Sequence, residues 1–338
     1  MAMKVHVQLD ADLRGARGRA AELAAAGVDG LFTFEGPHDV FLPLLEAASS
    51  VDLELFTNVA IAFPRSPMHL AHAAYDLQEF SGGRFTLGLG SQVRAHIERR
   101  YGTTWSRPAA RMRETVLAVK AIFDAWEGNS ALEFRGEFST HTLMTPNFDP
   151  GPNPFGPPPI RVGALGPLMT AAAAAVADGL LVLPFNSKRY FTQRTMPAVE
   201  RGLESAGRSM SEFEVIPQAI VATGRTETEL AEAMSGIRRL VAFYASTPAY
   251  VPVLEVEGWQ DRQPVLAAMM RRRAFDDMAA VIDDHMLRTL AVVGTPEECA
   301  DQIADRFHPH AREICCYFPF YNIATQHLTD LVAALHAG

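Results

Sequence analysis

Eight times along this chain a short apolar, β-prone segment is followed by a stretch with helical spacing. That alternation constrains the fold more than any single motif does. The β-prone segments are residues 4–9, 30–34, 54–63, 85–89, 160–162, 180–183, 213–222 and 314–318. Helical patterns follow at 14–26, 41–49, 68–80, 108–126, 168–177, 192–206, 227–245 and 323–336, with a further one at 297–306. Strands alternating with helices imply a parallel sheet with right-handed crossovers. Eight such units in 338 residues predict an α/β protein built as a closed (β/α)8 TIM barrel with loop insertions, not an open doubly wound sheet. A proline- and glycine-rich stretch within about 129–159 reads as an irregular excursion, and 247–290 as a second one with at least one helix around 275–285, both from one domain spanning 1–338.

A net charge of -9 offers no basic field for phosphate backbones, which argues against nucleic acid as the main partner. No run approaches the ~20 apolar residues of a membrane helix, and the first residues lack a charged-then-apolar signal pattern. Cys299, Cys315 and Cys316 make neither a disulfide framework nor a zinc site, so a reducing cytoplasm is the expected location. Cys315 and Cys316 are neighbours on the last strand, so one should face the barrel interior and the other the helices. A small molecule is the expected partner.

In a barrel of this kind the C-terminal strand ends and the loops after them carry the site. Here they fall at Asp10 and at 35–39, 57–63, 90–92, 163–167, 183–186, 221–223 and 318–321. They contain no G-x-S-x-G elbow, H-E-x-x-H pair or Walker loop. His38 and Asp39 adjoin on a turn without a third ligand, and no metal is expected. What remains is largely apolar and glycine-lined, which suits a flat organic cofactor that brings its own chemistry.

Two stretches refine this expectation. Residues 81–93 read Ser-Gly-Gly-Arg-Phe-Thr-Leu-Gly-Leu-Gly-Ser-Gln-Val. Gly82 or Gly83 suits a left-handed helix end, while Gly88 and Gly90 allow close backbone approach at the far end of the strand. Tight turns and packing would use the same glycines. The turn 163–167 joins a strand to a helix start, where free N–H groups and the helix dipole hold an anion without lysine. An ordinary tight turn would have the same sequence.

The residues Thr57-Asn58-Val59, Arg65-Ser66-Pro67, Ser81-Gly-Gly-Arg-Phe-Thr-Leu-Gly-Leu-Gly90 and Arg107-Pro-Ala-Ala-Arg-Met-Arg-Glu114 form an ordered set. Gly163-Ala-Leu-Gly-Pro-Leu-Met169, Asp178-Gly179, Ala206-Gly-Arg208 and Val293-Gly-Thr-Pro-Glu-Glu298 complete it. In this order they resemble the luciferase-like monooxygenase superfamily, and within it the deazaflavin-dependent oxidoreductases that use coenzyme F-420. The resemblance implies a (β/α)8 barrel with insertions, often assembled as a homodimer. It also implies a bulge at the end of the third strand, often with a cis bond, here Asn58–Val59, against the cofactor ring.

By the same resemblance Thr57, Ser91 and Gln92 flank the cofactor. Gly163, Ala164, Leu165, Gly166, Pro167, Leu168 and the turn Pro184-Phe185 hold its phosphate, and Lys188, Arg189 or Arg194 screen the anionic tail. Glu35 matches an acid that in many relatives is followed directly by histidine; here His38 comes later. His38 or Glu35 is the candidate proton donor, and a loop hydrogen bond would occupy His38 equally well. Asp10, Asp39, Trp105 and His141 are candidate substrate contacts, each also readable as ordinary loop structure. The rival readings are an FMN-dependent monooxygenase on the same barrel and a non-catalytic cofactor-binding barrel.

Overall fold

The computed structural model describes residues 2–10 and 12–338. Its centre is a ring of eight parallel strands. They are β1 (Lys4–Gln8), β2 (Gly30–Thr33), β3 (Glu54–Thr57), β4 (Phe85–Gly90), β5 (Ile160–Ala164), β6 (Gly179–Val182), β7 (Glu214–Thr223) and β8 (Glu313–Tyr317). Each pairs with the next, and β8 pairs back onto β1 with Cys316 opposite Val7, so the ring closes. The expected (β/α)8 barrel is the observed fold. After β3 the chain resumes at Ala60–Ile61, which pairs with Leu89 and Gly90 at the far end of β4.

Nearly every strand residue is buried because the ring is covered on both faces, which explains the continuous apolar runs in the sequence. Inside, Phe32, Phe56, Leu181, Ile216 and Cys315 pack as one cluster with Val59 against it. Cys316 points the other way, into the layer between strands and helices. The adjacent cysteines thus divide between the two faces as strand alternation requires.

The surrounding helices include α1 (Ala16–Ala25), α2 (Leu42–Ala48), α3 (Pro67–Phe80), α4 (Pro108–Trp126), α5 (Pro167–Val176), α6 (Met196–Ser205), α7 (Glu227–Ala245), α8 (Pro296–Phe307) and α9 (Thr325–Ala337). Several family-like motif pieces turn out to be their fastenings. Thr295 and Glu298 form a reciprocal capping box at the start of α8. Arg208 donates to the Ala174 and Ala177 carbonyls at the end of α5. Asp178 accepts from the Ile160 amide and from Lys120, fixing the entries to β5 and β6.

The barrel's N-terminal end is closed by charge. His6 donates or accepts at Glu313 over 3.0 Å, and Arg161 reaches Glu214 at 2.7 Å and Glu313 at 3.3 Å. Lys4 pairs with Glu54 beside them. The ligand atoms of His6, Glu54 and Glu313 lie within 4.8 Å of one another. Lys4 and Arg161 already supply positive charge there, so the cluster is a salt-bridged floor.

At the opposite end β7 overshoots its neighbours. Its last residues, Val221, Ala222 and Thr223, pair with the short strand Val292–Gly294. The chain between α7 and that strand is more regular than the sequence expectation of an excursion with at least one helix around 275–285. It forms the short helices Val251–Glu257, Arg262–Arg271, Phe275–Ala280 and Asp284–Leu290, which share an apolar cluster with α7. Each is too short, and buries too few residues, to show a lasting helical period. Among the described residues no helix is long and apolar enough to cross a membrane.

Candidate active site

The third strand's exit organises the barrel mouth. The Thr57 hydroxyl donates to the Gly88 carbonyl at 2.7 Å and accepts from the Gly88 amide at 2.9 Å, so β3 and β4 are stitched together through one side chain. A Cβ on Gly88 would collide with the Thr57 carbonyl. The Asn58 amide then donates to the Thr33 carbonyl at 2.6 Å, and the Asn58–Val59 peptide is cis. Val59 lies over Gly90 and Gly163, where side chains are excluded: a Cβ on Gly163 would stand 2.9 Å from Val59 Cγ1, and one on Gly90 would overlap Cγ2. The Asn58 Nδ2 is buried with no hydrogen-bond partner, a donor waiting for an acceptor.

Beside this platform, Ser91 and Gln92 leave β4 with Gln92 in the left-handed region at φ 58. Such a conformation costs a side-chain-bearing residue roughly 1–2 kcal/mol and marks a position held by its surroundings. Gln92 secures the turn by accepting from the Val93 amide. On the other flank, β5 ends at Ala164, and Leu165 and Gly166 lead into α5 with Pro167 in its first turn. No side chain caps α5, and a Cβ on Gly166 would meet nothing within 4 Å. The first-turn amides therefore face open space carrying the positive end of the helix. Leu168 is 79% exposed beside them.

Beyond β6, Pro184 is buried and the Phe185 ring is fully buried against Tyr244 and Tyr250. Any contact from Phe185 to a bound anion would thus come from its main chain. Asn186, which sequence reasoning missed as a candidate, is 1% exposed with neither Nδ2 nor Oδ1 partnered. Its only sequence signal was its place at the end of β6.

Glu35 is the hub of the rim. Its Oε2 accepts from the Ile61 amide at 2.8 Å and from Arg65 at 2.5 Å, while Oε1 accepts from the Tyr101 hydroxyl at 2.8 Å. Burial, then the bond to Glu35, pushes the Tyr101 phenol above its ordinary pKa. Glu35 thus ties the loop after β2 to the exit of β3 and to the loop after β4.

His38, three residues on, is exposed. Asp39 Oδ1 accepts from the Phe41 and Leu42 amides and starts α2. Trp105 packs edge-on against Phe63 at 5.7 Å, with the Arg111 guanidinium 4.7 Å from the same ring. Asp10 pairs with Arg19 at 2.7 Å. His141 lies in a small hairpin whose turn is held by Glu114 on α4, and burial lowers the imidazole's pKa.

A flat ring fits the platform that Val59 makes over two side-chain-free positions, and a phosphate fits the open amides at Gly166. The buried, unpaired Asn58 amide group suits the polar edge of such a ring.

The sequence profile of luciferase-like monooxygenases matches residues 2–312. The chain belongs to that family. An uncharacterised protein of Mycobacterium tuberculosis is 46% identical over 305 residues, which cover 89% of this luciferase-like chain and 90% of that protein. A putative coenzyme F-420-dependent oxidoreductase of the same bacterium is 28% identical over 304 residues, covering 84% of this chain and 86% of the other. Among solved structures, the coenzyme F-420-dependent tetrahydromethanopterin reductase of Methanopyrus kandleri superposes with a TM-score of 0.80 at 20% identity. It covers 98% of this chain and 97% of its own. That likeness is one of fold, and it extends over the whole luciferase-like barrel.

Proposed function

We propose that this chain is an oxidoreductase that binds coenzyme F-420 in the barrel mouth and moves a hydride between the deazaflavin C5 and a small organic substrate. The observation that carries this reading is the Val59 platform over Gly90 and Gly163, beside the uncapped start of α5. The printed name of the 28% identical relative supports the choice of deazaflavin.

Thr57, Asn58, Val59, Ser91 and Gln92 border the ring. The main chain of 163–168, with the turn at Pro184-Phe185, receives the phosphate. When bound and reduced, the deazaflavin supplies hydride from C5. His38 gives the balancing proton to the substrate heteroatom or carbon. Glu35, with both oxygens engaged, positions Arg65, Tyr101 and the exit of β3. Trp105 walls the substrate side with Phe63, and Asp10, Asp39 and His141 are the remaining candidate contacts. The rim residues hold the substrate near the ring.

Titration of the purified chain with F-420 and, separately, FMN tests the reading by absorbance and fluorescence. Saturable binding of F-420 without saturable binding of FMN is expected. The reverse pattern would move the chain to the flavin-dependent monooxygenases of the same barrel. Tight F-420 binding without turnover of any carbonyl, imine, alkene or alcohol would favour a carrier.

A further inference from the structure

Outside the barrel mouth, the segment after β6 meets the helices 251–257 and 284–290 and the end of α8 around an open surface groove of about 310 Å³. Its size is at the lower end for small-ligand sites. Arg306 lines it and is 9% exposed. Its guanidinium has one hydrogen bond, from Nη2 to the Ala291 carbonyl at 3.2 Å, and no carboxylate pairs with it among the described residues. A buried guanidinium without a counter-ion is costly, and a fork of free donors is what an oxyanion needs. Burial pushes the Arg306 pKa down to about 10, with Asp305 and Glu257 opposing, so the group stays charged near neutral pH.

The rest of the lining points the same way. Arg288 and Arg189 face the groove, and neither pairs with a carboxylate among the described residues. Of the two acids present, Asp305 pairs with Lys188 at 2.6 Å, while Glu257 accepts from the Ser187 hydroxyl at 2.5 Å and keeps its charge. Lys188 and three arginines therefore face only two carboxylates, an excess of positive charge in one groove of a chain whose net charge is -9. The proposed hydride transfer itself uses none of the three arginines; the family resemblance implies only that Arg189, like Lys188, could screen the cofactor's anionic tail.

We propose that this hollow is a binding site for a compact polyanion bearing phosphate or carboxylate groups, gripped by Arg306 and Arg288. The ligand has two sources. One is a free phosphorylated or polycarboxylic metabolite acting as an effector. The other is an anionic tail of a cofactor seated in the mouth, since Lys188 and Arg189 open the segment that leaves β6. The anion site itself does not depend on the redox reading.

Isothermal titration of the full chain with pyrophosphate, at ionic strength held constant with chloride, tests the site. A saturable binding event is expected that weakens at least tenfold in Arg288→Gln, an exposed position, and in Arg306→Gln, apart from any binding at the start of α5. Absence of saturable binding, or binding that Arg288→Gln leaves unchanged, overturns the proposal. If Arg306→Gln fails to fold, Arg288→Gln alone decides. A parallel F-420 titration of Arg288→Gln separates the sources: weakened cofactor binding identifies its tail as the ligand, and unchanged binding identifies a free anion. Pyrophosphate binding requires no redox cofactor, so failure of this site and failure of the deazaflavin reading are distinct results.

Discussion

Val59 Cγ2 occupies the volume that a side chain on Gly90 would need. Val59 follows the end of β3 and Gly90 ends β4, and the platform that Val59 makes over Gly90 is the seat proposed for the cofactor ring. Gly163 completes the notch from a third strand.

Gly90→Ala should therefore displace Val59 instead of merely stiffening β4. A destabilisation of ~1–3 kcal/mol is expected for overpacking of this kind, together with loss of cofactor affinity. Combining it with Val59→Ala should recover part of the stability, because the colliding methyl groups are gone, while affinity stays low because the platform is smaller. Urea melts of the two single variants and the double give the coupling, and strict additivity would show that the contact does not matter.

Glu35 distinguishes positioning from proton transfer. Glu35→Gln keeps the shape but removes the charge that Arg65 and the Tyr101 hydroxyl address. A stability loss of ~1–3 kcal/mol is expected, since the partly buried Arg65 keeps only the Ile61 carbonyl and Asp39 at 3.9 Å as partners. If Glu35 only positions, the pH profile of turnover keeps its shape as its height falls. If it carries the proton, one limb of that profile disappears.

The barrel was legible because every strand is buried on both faces, so each stood out as an apolar run whatever its neighbours were. Of the helices 251–257, 262–271, 275–280 and 284–290 only one, around 275–285, was expected, because they cover one another in short pieces. Helix 262–271, for example, buries only Leu266. At the site, Gly88, Gly90 and Gly163 were visible as glycines, but what they avoid is not local. Gly88 makes room for Thr57, and the other two make room for Val59. The engagement of Glu35 likewise depends on Arg65 and Tyr101, far along the chain. The side-chain direction of Phe185 was beyond reach because its partners, Tyr244 at the end of α7 and Tyr250 in the short turn after it, lie far along the chain.

His38 has a sharper expected signature than Glu35. It is exposed on the rim, so His38→Gln should leave stability and F-420 affinity within error of the parent chain. Turnover should fall by about 10²-fold, the usual contribution of a general acid. Steady-state rates with a saturating cofactor, set beside the binding titration, check both halves. An unchanged rate would remove His38 from the chemistry.

The floor of the barrel makes a prediction about acid. Burial alone would raise the Glu313 pKa, but the hydrogen bond to His6 and the charge of Arg161 outweigh it and hold the carboxyl at about 2. In the unfolded chain a glutamate titrates near ~4.3. Because the folded value is the lower one, the stabilisation is fully present above the unfolded pKa and is lost as pH falls through that window toward 2. The window's width corresponds to on the order of 3 kcal/mol. Glu313→Gln should remove this acid-dependent portion and flatten the stability curve between about pH 4.5 and 2.5, measured by urea melts at each pH. Arg161→Met should be more damaging than Glu313→Gln at neutral pH, because it leaves Glu313 in the floor and frees Glu214 together. If Glu313→Gln keeps the parent's acid slope, the charged floor is not what holds the closed end of the barrel together at low pH.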